Sequence, residues 1–162
     1  MTVTTAIPTL KDIKETLSGL LDREIEVSAG APSPSLGGDS NSLVALYVDD
    51  NLRSVAVIVA DFPLSARVGA AIGLVPAGGA DAALEDNVLP ANLRENAAEV
   101  LNVLAALFNR DGAPHLRLYS VTGPGDQMRS DVKALAVKAA PREDILVDVA
   151  RYGQGVLSVV LA

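Results

Sequence analysis

Two carboxylates and an amide, Glu95, Glu99 and Asn102, stand at i, i+4 and i+7 in the stretch Leu89 to Asn109. If that stretch is helical, all three stack on one face. An amide offers a donor and an acceptor at once. It can orient a water in line with a phosphorus atom, as water-positioning residues do in GTPases. A carboxylate beside it can pair with a cationic group on a partner protein, which gives register and specificity. Such a site needs no nucleophile, histidine or metal of its own, provided the partner supplies a Mg²⁺ site. On periodicity alone the same face is the solvated side of an amphipathic helix. Asparagine is a mediocre helix former, however, and Asn102 falls mid-helix in an apolar half, which singles the amide out.

The element that must hold these groups has a clear helical period. Leu93, Ala97, Val100, Leu104 and Phe108 form one apolar stripe, with Leu101 and Leu107 beside it. Asn92, Glu95, Glu99, Asn102 and Asn109 lie nearly opposite. The helix is expected to end near Asp111-Gly112, with Gly112 beyond its last turn. Residues 1–7 read as a flexible arm. Thr9 is an expected N-cap, with Asp12 three residues on, for a helix carrying Leu10, Ile13, Leu17, Leu20 and Leu21. Glu24 to Ala29 reads as a short strand and Gly30 to Asn41 as a Gly/Pro/Ser loop. Ser42 to Val48 and Arg53 to Asp61 form a hairpin, apolar on both faces as in the centre of a covered sheet. Pro63 opens a helix to about Leu74, whose small residues predict close packing against a neighbour. Pro76 to Glu85 reads as a Gly/Ala loop. His115 to Thr122 reads as a strand. Asp126 to Ala140 fits a short helix, though Val132 to Val137 also suits a strand. Asp144 to Arg151 and Val156 to Leu161 close the chain as a second hairpin.

These elements make two rounds of one layout. They predict a single α+β domain over residues 1–162, with mostly antiparallel strands packed by helices. Exposed sheet edges in such a layout would pair to give a homodimer.

Composition narrows the chemistry. The chain is 49% hydrophobic, with 3% aromatic residues and no tryptophan, so the core is aliphatic and nucleobase stacking platforms are scarce. A net charge of −7 disfavours nucleic acid and anionic membranes as partners. There is no cysteine, hence no disulfide, thiolate metal site or Cys nucleophile. His115 is the single histidine, and no second imidazole exists to complete a typical zinc site. No nucleophile elbow, dinucleotide fingerprint or phosphate-binding P-loop occurs. Gly37-Gly38 and Gly78-Gly79 are turn signals. Asp49, Asp50, Asp81, Glu85 and Asp86 match no calcium-loop spacing. No apolar run approaches membrane-spanning length, and the N-terminal residues lack a signal-peptide pattern, so a soluble cytoplasmic protein is expected.

Glu95-x-x-x-Glu99-x-x-Asn102 resembles the acid-x3-Glu-x2-Asn signature of the CheC/CheX/FliY chemotaxis phosphatases, which hydrolyse the aspartyl phosphate of a response regulator. The element order is similar over most of the chain. The resemblance implies that Asn102 positions the attacking water and that Glu99 contacts the receiver's lysine, with Glu95 at the leading acid position. It implies no cofactor of the chain's own, since the receiver domain carries the Mg²⁺. The corresponding first-half helix reads Lys11-x-x-x-Glu15-x-x-Ser18; its Glu matches and its Asn does not, which resembles the one-site CheX. Three positions depart from the pattern. The leading acid is Glu, Ala106 stands where a Gly is frequent, and the downstream proline, Pro124, falls one residue early. The alternative is the same fold used as a non-catalytic binding or assembly module.

Overall fold

The computed structural model describes residues 4–36 and 41–162. Residues 1–3 of the expected arm and 37–40 of the expected Gly/Pro/Ser loop, including Gly37-Gly38, lie outside the described residues. In chain order the elements are α1 (Leu10–Leu21), β1 (Ile25–Ala29), β2 (Leu43–Val48), β3 (Ser54–Ala60), α2 (Phe62–Ile72), α3 (Ala77–Asp86), α4 (Ala91–Val103) with a 3-10 extension (Leu104–Phe108), β4 (Arg117–Thr122), α5 (Ser130–Ala136), β5 (Arg142–Val149) and β6 (Gly153–Leu161).

The strands form one six-stranded sheet in the order β1-β5-β6-β3-β2-β4, every pair antiparallel. Exchanging β1, β2 and β3 for β4, β5 and β6 returns the same order reversed. The two rounds seen in the sequence are therefore two halves joined where β3 meets β6, with Ile58 opposite Val159. A helix precedes the first strand of each half, α1 before β1 and α4 before β4.

Burial follows from strand parity. Leu43, Ala45 and Tyr47 of β2 face the helical layer with Ile58, Ile145, Val147, Leu157 and Val159. Val44, Leu46 and Val48 face the other way, with Val57, Val59 and Val160, and are covered by Val132, Leu135 and Ala136 of α5. A strand covered on both faces has no polar side to show, which is why β2 reads as an unbroken apolar run.

Helix α1 is capped by Thr9, whose side chain accepts the Asp12 N–H at 3.1 Å. Asp61 does the same for α2 by accepting the Leu64 N–H at 2.9 Å. Eight α2 residues are buried, because the helix is wedged between the sheet and α4. Gly155 of β6 makes one side of that wedge possible. A Cβ there would meet Leu64 backbone N and Cα at 2.5 and 2.6 Å.

Three expectations need correction. Pro76 to Glu85 is not a loop: Ala77–Asp86 is helical, and Ala80 and Ala83 are buried in the helical layer. Its run of alanines outweighs the helix-weakening pair Gly78-Gly79, which sits in the first turn. The long helix does not run on to Asp111; it tightens to 3-10 geometry at Leu104 and ends at Phe108. The strand after it begins at Arg117, not His115, which is exposed. The segment open to two readings, 126–140, is a helix over Ser130–Ala136.

Helix α5 is tied to the sheet by Arg142 and Asp144. The Arg142 guanidinium donates to Asp144 at 3.0 Å and to the carbonyls of Ala136 and Lys138 at 2.6 and 3.1 Å. Ser33 donates to the same carboxylate at 2.9 Å, and so does Ser158. Burial raises the Asp144 pKa, but Arg142 and the two hydroxyls outweigh it and hold the carboxyl below its usual 3.8. A carboxyl depressed in the native state stabilises the fold above the ordinary carboxylate range, and that stabilisation is lost as pH falls through the native value. Asp144→Asn is expected to lower the thermal midpoint at pH 7 by a few degrees, from roughly 1–2 kcal/mol of lost charge-assisted bonding. Thermal melts of both proteins should converge as the pH falls below 3.8.

No helix among the described residues is long and apolar enough to cross a membrane.

Candidate functional site on α4

Helix α4 is fixed on three sides. Leu93, Ala97, Val100 and Leu101 are buried, as the apolar stripe predicts. Toward α2 the backbones nearly touch. A Cβ on Gly69 would overlap the Leu93 carbonyl oxygen and meet its carbon at 3.0 Å. The Asn96 side-chain amide donates to the Gly69 carbonyl at 3.1 Å, and Gly73 leaves room for that amide. The expectation that small residues on this helix mark a close neighbour is met by α4 itself.

On the opposite flank Arg94 donates to the Pro124 carbonyl at 3.1 Å and pairs with Asp126. Asp126 also accepts the Gly123 N–H at 3.0 Å. That backbone bond first, and then Arg94, hold its carboxyl below the usual range. The turn after β4 is thereby clamped to α4.

From beneath, the Tyr47 hydroxyl of β2 donates to the Leu101 carbonyl. The ring is fully buried and tilted against Phe108, centroids 5.3 Å apart. Burial pushes the phenol pKa up, so the hydroxyl stays protonated and remains a donor. The sequence reading missed Tyr47. Its signal is an aromatic alcohol within an otherwise aliphatic strand, LVALYV, since a buried Tyr needs a partner for its hydroxyl.

The remaining face of α4 carries Asn92, Glu95, Glu99 and Asn102, all exposed. Among the described residues the side chains of Glu95, Glu99 and Asn102 make no hydrogen bond or ion pair. The sequence-predicted trio is therefore brought together on one open face, aimed away from the body. Two like charges at i, i+4 cost a helix about 0.2–0.5 kcal/mol, and among the described residues no ion pair offsets that here. Packing on the other three sides holds α4 in place, so this face is free to meet something else.

The matching positions on α1 differ. Lys11 and Glu15 are exposed and face one another at 3.9 Å, and Ser18 is half-buried. That Glu has a cationic neighbour of its own and no amide beside it. Other candidates are absorbed by structure. Asp49 accepts the Asn51 and Arg53 N–H groups, both at 2.9 Å, and closes the first hairpin. Asp81, Glu85 and Asp86 lie exposed along α3.

No protein-family model matches the sequence, and no curated protein matches it. Solved structures match over nearly the whole chain. The FliM middle domain from H. pylori is 8% identical, with a TM-score of 0.56 over 93% of this chain and 83% of that one. The chemotaxis protein CheX from Desulfovibrio desulfuricans is 14% identical, with a TM-score of 0.53 over 94% of this chain and 95% of that one. CheX from Borrelia burgdorferi, crystallised as a CheX-CheY-BeF3-Mg+2 complex, is 11% identical, with a TM-score of 0.52 over 94% of each chain. The chain thus has the α+β fold common to CheX and the FliM middle domain, the fold expected from the resemblance.

Proposed function

We propose that this chain is a CheX-like domain that binds a phosphorylated response-regulator receiver and accelerates loss of its aspartyl phosphate. The observation that carries this reading is the open α4 face, where Glu95, Glu99 and Asn102 stand together with no hydrogen bond or ion pair among the described residues. A fold neighbour crystallised with CheY supports it.

In this reading Glu99 pairs with a cationic group of the receiver, and Glu95 lies at the edge of the contact. The Asn102 amide holds a water in line with the phosphorus. The water oxygen forms a bond to phosphorus as the bond from phosphorus to the aspartyl oxygen breaks. Inorganic phosphate and a free carboxylate result. The receiver brings the phosphoryl group and its Mg²⁺, so this chain contributes position alone. Positioning lowers the barrier by removing the orientational freedom of the water. The site works in the cytoplasm, and the free edges of β1 and β4 offer the strands through which two copies would pair.

The second reading is a binding or assembly module without catalysis. It is favoured by the FliM middle domain's sharing of the fold and by Ala106 at a position where the phosphatases frequently have Gly.

Adding this protein in substoichiometric amounts to a phosphorylated, Mg²⁺-loaded receiver should shorten the phosphate half-life. Glu99→Lys should raise the concentration giving half-maximal acceleration by about tenfold, with less change in the maximal rate. Complex formation with an unaltered half-life would assign the second reading. If no protein partner binds at all, both fail.

A further inference from the structure

We infer that Tyr47 is a positioning residue for Asn102, setting its amide from beneath the helix; this rests on the reading of Asn102 proposed above. Asn102 sits in the last turn of α4, immediately before the helix tightens at Leu104. In an uninterrupted α-helix the Leu101 carbonyl would accept the N–H of Ala105. Ala105 lies in the 3-10 segment, whose amides reach back three residues rather than four. The carbonyl at the change of geometry would be left without its ordinary donor, in the buried layer. The Tyr47 hydroxyl supplies that donor.

Strand alternation delivers it: Tyr47 follows Leu43 and Ala45 on the face of β2 turned to the helices. The extra residues at the two register shifts beside it, Val55 of β3 and Tyr119 of β4, belong to the neighbouring strands, so β2 itself runs unbroken to Tyr47. Phe108, at the end of the 3-10 segment, closes on the same ring. One side chain from β2 therefore holds the helix just before the tightened segment and at that segment's end. The backbone preceding Asn102 is pinned through a single carbonyl. Exposed functional groups need such support, because nothing on their own face holds them.

The test is Tyr47→Phe in the full chain, followed by amide hydrogen exchange and by receiver dephosphorylation. Exchange needs no partner, so it judges the positioning separately from the phosphatase reading. The amides of residues 102–108 should exchange about tenfold faster, while those of β3 and β6 stay as protected as in the wild type. In the dephosphorylation assay the maximal rate should fall and the half-saturating concentration should not. Unchanged exchange at 102–108 would overturn the inference. A uniform rise across helix and sheet would overturn it too, by making Tyr47 a core residue only. Should Tyr47→Phe fail to fold, the wild-type protein decides: a slowly exchanging Tyr47 hydroxyl proton with a cross-peak to Leu101 or Asn102 upholds the contact, and its absence removes it. A wild type that never accelerates dephosphorylation would sink the phosphatase reading, whatever exchange shows.

Discussion

Gly69→Ala is expected to be strongly destabilising, although alanine is the better helix former. In an exposed helix interior the change would stabilise by about 0.8–1 kcal/mol. At Gly69 the added methyl overlaps the Leu93 carbonyl oxygen and meets its carbon at 3.0 Å. Those are backbone atoms of α4, so no side-chain rotation relieves the clash. Either α2 or α4 must move away. Gly155 holds α2 equally close to β6 on another side, which leaves α2 little room to retreat. Overpacking a rigid core costs roughly 1–3 kcal/mol. Separating the helices also strains the Asn96 bond to Gly69, worth about another 1 kcal/mol. The net loss should be about 1–3 kcal/mol. Urea unfolding would read it as a lowered midpoint with an unchanged slope. A midpoint equal to or above the wild type would mean that the two helices are not in backbone contact.

Asn102→Ala should do the reverse, sparing stability and abolishing function. The side chain is exposed and, among the described residues, makes no hydrogen bond, and alanine favours the helix. The unfolding midpoint should shift by no more than about 0.5 kcal/mol in either direction. If the amide orients the attacking water, its loss should reduce the stimulated rate by about 100-fold or more, the scale seen when one preorganised polar group is removed from a site. Affinity for the receiver should hold, because Glu99 and Glu95 remain. The pairing of full stability with lost activity separates a functional amide from a structural one.

Much of this was legible beforehand, for identifiable reasons. The stripe Leu93, Ala97, Val100, Leu104 and Phe108 announced its buried side, and the opposite trio followed from the same period. The β2–β3 hairpin was readable because β-branched runs flank Asp49, whose side chain closes the turn. The two-halved layout was visible as element order even though the halves share little sequence. Residues 77–86 were hidden because Gly78-Gly79 reads as a turn signal when burial of Ala80 and Ala83 is unknown. The tightening at Leu104 was hidden because leucines and alanines suit either helix type. The Leu101 carbonyl just before the change accepts from Tyr47, more than fifty residues away in the sequence. Arg94 was overlooked for the same reason. Its partners, Pro124 and Asp126, come from a turn that no local pattern links to α4. Local period thus revealed which face is free, while the contacts that hold that face steady are long-range.

We propose that a receiver loses its phosphate at the free face of α4 through Asn102. The most direct measurement is the phosphate half-life of a Mg²⁺-loaded, phosphorylated receiver domain at saturating protein, wild type beside Asn102→Ala. The wild type should shorten the half-life at least tenfold, and the variant should leave the receiver's unaided half-life while still competing with the wild type for the receiver. An equal acceleration by both proteins would contradict it, and so would a wild type that binds the receiver and leaves the half-life unchanged.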